Sequence, residues 1–230
     1  MSAQLLKLEA APDLVDRVYT RLLDAISEGS LAPGQRITQE EIAEQLAVSR
    51  QPVLQALRLL KKDGFVQDAP GRGLLVTPLD AQWIAKVYEV RGAIDALAAR
   101  LAAGRRHRIA PELIELGRKA ARGVDIKAMI DADLAFHHAI YEASGNPLIG
   151  QIAEQNWCHL RRVMGAVLQS AGERGAVWDE HAAIADAIAA GNSRLATKLI
   201  EQHSQHASSK LADGLAQVLN TPFTRKGDTA

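Results

Sequence analysis

One cysteine, Cys158, is all that the 230-residue chain contains, so an intramolecular disulfide is excluded and a reducing cytoplasm is the expected setting. Aromatic residues are also scarce, at 4%. With alanine and leucine abundant instead, helix is favoured over strand. An excess of either charge is missing as well: 27 Lys and Arg against 27 Asp and Glu give a formal net charge of zero. No global basic field advertises nucleic acid, and any DNA-binding surface must be local. No stretch approaches the ~18 uncharged apolar residues of a membrane span. The opening "MSAQLLKLEAAPD" lacks the basic start and long apolar run of a signal peptide. Neither membrane nor export is therefore expected. What is present is an apolar share of 47%, enough to bury cores in one large domain or two small ones.

Residues 13–28 place Leu14, Val18, Leu22 and Ile26 on one helical face, with Asp13 as the N-cap. The stretch "GSLAPGQRIT" breaks this helix. Thr38-Gln39-Glu40-Glu41 matches a capping box, in which Thr38 and Glu41 satisfy each other's backbone N–H groups. The short helix that follows ends near Leu46. After "AVS", Ser49 caps a third helix that tolerates Pro52 in its first turn and stops at Gly64. "FVQDA" and "LLVTP" then read as two short strands joined by the turn "PGRG". Residues 1–77 are thus expected to hold a winged helix-turn-helix.

From residue 82 on, helices are expected near 82–104, 111–121, 125–143, 147–171, 174–190 and 193–216. The breakers between them are "GRRHRIAP", "RGV", "SGNP", "AGERG" and "AGNS". In "SGNP", Gly145 suits a left-handed helix end, Asn146 a cap and Pro147 a first helical position. The fold class is mainly α: a winged helix over 1–77, an all-α bundle over 78–218 and a disordered tail over 219–230.

In the third helix, Val53, Ala56, Leu57 and Leu60 form the inward stripe, which leaves Arg50, Gln51, Leu54, Gln55 and Arg58 outward. The N-terminal part of such a helix enters the major groove. There Arg suits guanine, Gln suits adenine, and an apolar side chain suits a thymine methyl. Thr38 and Ser49, at helix N-termini, suit phosphate, and Arg72 between two glycines could reach a minor groove or a phosphate. Residues 1–77 carry no basic excess, yet 50–72 hold five basic side chains (Arg50, Arg58, Lys61, Lys62, Arg72) and two acidic ones (Asp63, Asp68). The bland alternative is a protein-binding module with a solvated helix face.

The run "VSRQPVLQALRLLKKDGFV", with "SEGSLAPGQRIT" before it and "GRGLLVTP" after, resembles the winged helix of the GntR family of bacterial transcription regulators over residues 15–78. The resemblance implies that Arg50 contacts DNA. Gln51, Leu54 and Gln55 replace the family's usual Thr, Arg and Glu. These departures fall on the DNA-facing side, so the operator should differ from the family's common one.

In "DADLAFHHAIYEASGNP", Asp133 and His137 are four apart and share a helix face, whereas His138 points about 100° away. His181 and His203 lie on apolar stripes of later helices, with His206 one turn beyond His203. Spacing alone leaves two readings open: one metal site, or separate core histidines with hydrogen-bond partners. Residues 83–216 also resemble the FCD ligand-binding domain of FadR-type GntR regulators, through "VYEVRGAIDALAARLAA", "DADLAFHHAIYEASGN" and "EHAAIADAIAAGN".

That resemblance implies that Asp133, His137, His181 and His203 hold a divalent ion, zinc foremost, with nickel or manganese also fitting. It further implies a small organic acid effector in the ion's open positions. Arg91 lies on the stripe Ile84, Val87, Tyr88, Ile94 and Ala98, so it points inward and needs an anion, either the effector or Asp95 four residues on. Arg162 and Asn146 are further effector-contact candidates. Trp157 and Trp178 read as core or pocket wall, and Cys158 as a small buried residue rather than a ligand.

An enzyme is the different-class alternative. A di-iron bundle needs Glu-x-x-His, and the chain has none. A zinc hydrolase needs a free carboxylate beside the metal-bound water, and Glu180 should point elsewhere on its helix. The expectation is a homodimeric, ligand-responsive repressor that binds a double-stranded DNA operator, with a purely structural metal and no inducer as the alternative.

Overall fold

A computed structural model describes residues 14–168 and 175–220. The expected cap Asp13, most of the "AGERG" breaker and the tail beyond residue 220 lie outside the described residues. The described residues form two compact units. One runs to Thr77 without Ser27–Gly29, and the other takes those three residues and everything from Pro78 on.

The first unit opens with α1 (Leu14–Ser27), which buries Val18, Leu22 and Ile26. Leu14, expected on the same stripe, is more exposed, at 38%. β1 (Arg36–Ile37) follows, then α2 (Gln39–Gln45) and α3 (Arg50–Lys62). The capping box forms as expected: Glu41 N–H donates to Thr38 Oγ1 at 3.3 Å, and Thr38 N–H donates to Glu41 Oε2 at 3.2 Å. Between α2 and α3, Ala47 takes φ 52°, and the Val48 N–H reaches back to Ala43 O at 3.0 Å. The chain thereby reverses within three residues. In α3, Val53, Ala56 and Leu60 are wholly buried, as their spacing requires.

β2 (Val66–Asp68) and β3 (Leu74–Val76) form the wing, and β1 pairs antiparallel with β3 to give the sheet order β1-β3-β2. β1 corrects the sequence reading, which treated "GSLAPGQRIT" as a plain break. Two residues are too short to show alternation, and their pairing is fixed only by a strand nearly 40 residues away.

The second unit contains six helices among the described residues: α4 (Ala81–Gly104), α5 (Pro111–Ala121), α6 (Ile126–Ser144), α7 (Pro147–Leu168), α8 (Ala176–Ala189) and α9 (Ser193–Asn220). Asp80 caps α4 by accepting from Gln82 N–H at 2.8 Å, and Asp125 caps α6 by accepting from Ala128 N–H at 3.1 Å. Gly145 ends α6 at φ 66°, and Asn146 Oδ1 accepts from Leu148 N–H at 3.2 Å, the stop and restart that "SGNP" predicts. The broadest contact is between α4 and α9. A Cβ on Gly92 of α4 would meet the Ser204 Cβ of α9 at 3.5 Å, ordinary van der Waals contact. The core is mainly aliphatic, with Tyr88, Phe136, Tyr141, Trp157 and Trp178 as its large rings. Among the described residues, no helix is long and apolar enough to cross a membrane.

Candidate metal centre and nucleic-acid interface

Three helices of the second unit each bring one histidine to a common point. α6 supplies His137, α8 His181 and α9 His203, all buried, and each offers one donor atom within 4.8 Å of the others. His181 Nε2 and His203 Nε2 are 3.3 Å apart. Both ring nitrogens of His137 and Nδ1 of His181 are buried without a hydrogen-bond partner. Buried polar atoms normally find partners, so orphans gathered at one point need an explanation. Burial holds His137 and His181 well below the ordinary imidazole pKa, helped at His137 by Arg91 and at His181 by His203. Both rings are therefore neutral, with lone pairs available.

Asp133 stands beside this group rather than within it. Its Oδ1 lies 3.5 Å from His181 Nε2, and burial pushes its carboxyl up against the pull of Arg91 and His203. His138 faces away, as its 100° offset predicts, and pairs with Glu154 at 3.4 Å.

Two carboxylates stand behind the histidines. Glu180 Oε2 is 2.9 Å from His203 Nδ1, and its Oε1 is 3.0 Å from His206 Nδ1. Those contacts, the one with His203 foremost, hold Glu180 down at about 2. An ionised Glu180 can only accept, so His203 Nδ1 donates to it and Nε2 is the ring atom turned towards the cluster. Asp95 Oδ2 lies 3.5 Å from His137 Nδ1. Sequence reading missed this role of Glu180, because its partners lie 23 and 26 residues further on. It saw Asp95 only as the partner of Arg91. The Arg91 pairing is present, Nε to Oδ2 at 3.2 Å, and Asp95 also accepts from Tyr141 Oη at 2.6 Å.

Arg91 is buried with its guanidinium 3.9 Å over the Trp157 ring. Burial opposes its charge, but Asp95, Tyr88 and Tyr141 outweigh that and keep it cationic. Its Nη2 has no hydrogen-bond partner. With Asp133, His203 and Tyr88 it borders a cavity of about 410 Å³. Burial pushes the Tyr88 phenol up to about 12, so the hydroxyl keeps its proton. Trp178 walls the same cavity and meets the His181 ring edge-on at 4.7 Å.

Two effector candidates are not brought to this cavity. Asn146 sits at the α6–α7 turn, roughly 20 Å along the helix axis from Asp133, and its side-chain oxygen caps α7. Arg162 is buried, and burial pushes it down to about 10. It does not line the cavity that Arg91 borders. The neighbouring Arg161 pairs with Asp131 at 3.3 Å. Cys158 is half-buried rather than buried and is not among the converging donors.

In the first unit, Arg50, Gln51, Gln55 and Arg58 are exposed and Leu54 is partly so, all on the open face of α3. Thr38, Leu54, Arg58 and Arg72 line one concavity between α3 and the wing. Arg50 reaches back to Glu40 at 2.9 Å, with both side chains about two-thirds exposed. Ser49 occupies the N-cap position, but its hydroxyl makes no capping bond. This corrects the expected cap and leaves the first N–H groups of α3 open to an outside anion. The Thr38 hydroxyl is engaged in its capping box. Arg36, which sequence reading passed over, donates to the Pro70 and Arg72 carbonyls and so fixes the loop that carries Arg72.

Residues 14–76 match the family model described as bacterial regulatory proteins, gntR family, and residues 86–206 match the FCD domain. The chain belongs to the GntR family. A GntR-type helix-turn-helix with an FCD domain makes it a DNA-binding transcription regulator and not an enzyme. It is 29% identical over 192 residues to an uncharacterized HTH-type transcriptional regulator in an unstable DNA locus of Streptomyces ambofaciens, covering 81% of this chain and 80% of the relative. It is 28% identical over 184 residues to a probable D-xylose utilization operon transcriptional repressor of Paenarthrobacter nicotinovorans, covering 77% of this chain and 80% of that one. Among solved structures, E. coli McbR/YncC superposes with a TM-score of 0.75 over 89% of this chain and 99% of that one, at 22% identity. At that identity the likeness shows the fold alone.

Proposed function

We propose that this GntR regulator is a homodimeric repressor acting in the cytoplasm, whose second unit senses a small carboxylate through a divalent metal. The observation that carries the reading is the meeting of three buried histidines from three helices, two of them, His137 and His181, neutral and short of hydrogen-bond partners. The donor set fits a transition-metal ion: His137, His181 and His203 would hold it, with Asp133 as a fourth donor, and zinc, nickel and manganese all suit imidazole with carboxylate. Asp95 and Glu180 behind the rings are what such a site needs to fix tautomer and orientation. The ion would supply a Lewis-acidic anchor for a carboxylate. Arg91 and the Tyr88 hydroxyl then offer further donors to the same anion.

The operator contacts proposed are Arg50, Gln51, Leu54, Gln55 and Arg58 in the major groove, Arg72 from the wing, and Ser49 with the open start of α3 at a phosphate. A homodimer is supported by an exposed apolar stripe on α4. Trp83, Val90 and Leu97, seven apart, are 51%, 54% and 37% exposed, more than a lone helix in water would favour.

The test is operator affinity, on a DNA site recovered by binding-site selection, with and without small organic acids. Metal-loaded protein should release the DNA in their presence. Chelator-stripped protein and His137→Ala should not respond. An equal response in all three would defeat the metal-mediated switch.

A further inference from the structure

The cavity beside the histidines gathers its densest polar group at one end, with Lys210, Asp213 and Gln217 of α9 further along it. Arg91, Asp133, His203 and Tyr88 gather there, close enough that Arg91 and His203 both act on the Asp133 carboxyl. The apolar part of the wall includes Met129, Met164, Val177, Trp178 and Leu211. Among the described residues that line it there is no serine, threonine or asparagine. α9 sets the cavity's length, because His203, Ala207, Leu211 and Gly214 recur at helical spacing along the lining. These positions span roughly 16 Å of helix axis. Lys210, Asp213 and Gln217 of α9 complete that side of the lining.

A hydroxy acid, sugar acid or tricarboxylate would bring several hydroxyl or carboxyl groups into this apolar stretch, where each unpartnered polar group is costly. An apolar chain would instead exchange water for methionine, leucine and tryptophan surface.

We infer that the effector is a monocarboxylate with an unbranched or lightly branched apolar tail, its head at Arg91 and the histidines and its tail along Ala207, Leu211 and Gly214 of α9. This rests on the metal–carboxylate reading and narrows it to one class of acid. Arg91 supplies the second, independent pointer to an anionic head: it is fully buried, and Nη2 has no partner.

The experiment is calorimetry on the full chain as purified, its metal content verified, with acetate, butanoate, hexanoate and octanoate, and with lactate, malate and citrate as the polar set. Affinity should rise about three- to fourfold per methylene up to hexanoate, with the polar acids weaker than hexanoate. Leu211→Gln should flatten that rise. Val177→Thr, nearly isosteric and so kinder to the fold, should flatten it less but in the same direction. Equal affinity along the alkanoate series, or preference for lactate, malate or citrate, would overturn the apolar-tail inference and leave the metal–carboxylate reading standing. Binding of neither set to metal-loaded protein would overturn that parent reading, and this inference with it.

Discussion

Glu180 holds two histidines on one carboxylate, and only His203 belongs to the converging group. Its charge fixes the proton of His203 on Nδ1, so Glu180→Gln should keep the fold but weaken divalent-metal affinity about 10–100-fold, as read by competition with a chromophoric chelator. Unchanged affinity would remove Glu180 from the centre. On the DNA side, the Arg50–Glu40 pair is largely exposed and contributes little to stability. Arg50→Ala should therefore leave the melting temperature nearly unmoved while costing about 1–3 kcal/mol on the selected operator. Undiminished discrimination between operator and random DNA would sink its role. Residue roles were legible in sequence wherever they follow helix geometry. The four-residue step from Asp133 to His137 and the offset of His138 are cases. Glu180 was not legible, because its task is set by another helix. Asn146, expected as an effector contact, lies away from the cavity for the converse reason: its local capping role was readable, and its distance from the cavity was not.

At the level of elements, most boundaries followed from caps and breakers. Thr38 and Gly145 act where the sequence places them, and Asp80 and Asp125 supply N-caps that the sequence reading did not single out. β1 escaped because a two-residue strand has no period, and its partner β3 is remote in sequence. The wing depends on close backbone approach at Gly73, which has φ +88° and where a Cβ would lie 2.9 Å from Ile37 O. Gly73→Ala should destabilise the first unit by about 1–2 kcal/mol from the left-handed backbone alone, and more from the clash. Gly104→Ala, at the end of α4 with nothing within 4 Å, should be neutral or stabilise by up to about 1 kcal/mol. Thermal melts of the two variants beside the parent chain check both. Equal melting temperatures for the two would contradict this account of the wing.

Across the whole molecule, one unit carries the DNA-reading surface and the other the histidine centre, and the GntR and FCD matches cover them in turn. The zero net charge told against a global nucleic-acid field and nothing more. The decisive clue to regulation was local, in the order of turn, α3 and wing. The histidine centre was only partly legible. Spacing allowed His181 and His203 to join His137 without requiring it, since three helices must pack in one register for their rings to meet. The central claim is that this meeting point is a metal site. Metal analysis of the purified chain, wild type beside His137→Ala, tests it most directly. The account predicts about one divalent ion per wild-type chain, in keeping with a single three-histidine site, and loss of that ion in the variant. A folded wild-type chain without metal, or equal metal in both proteins, would contradict it.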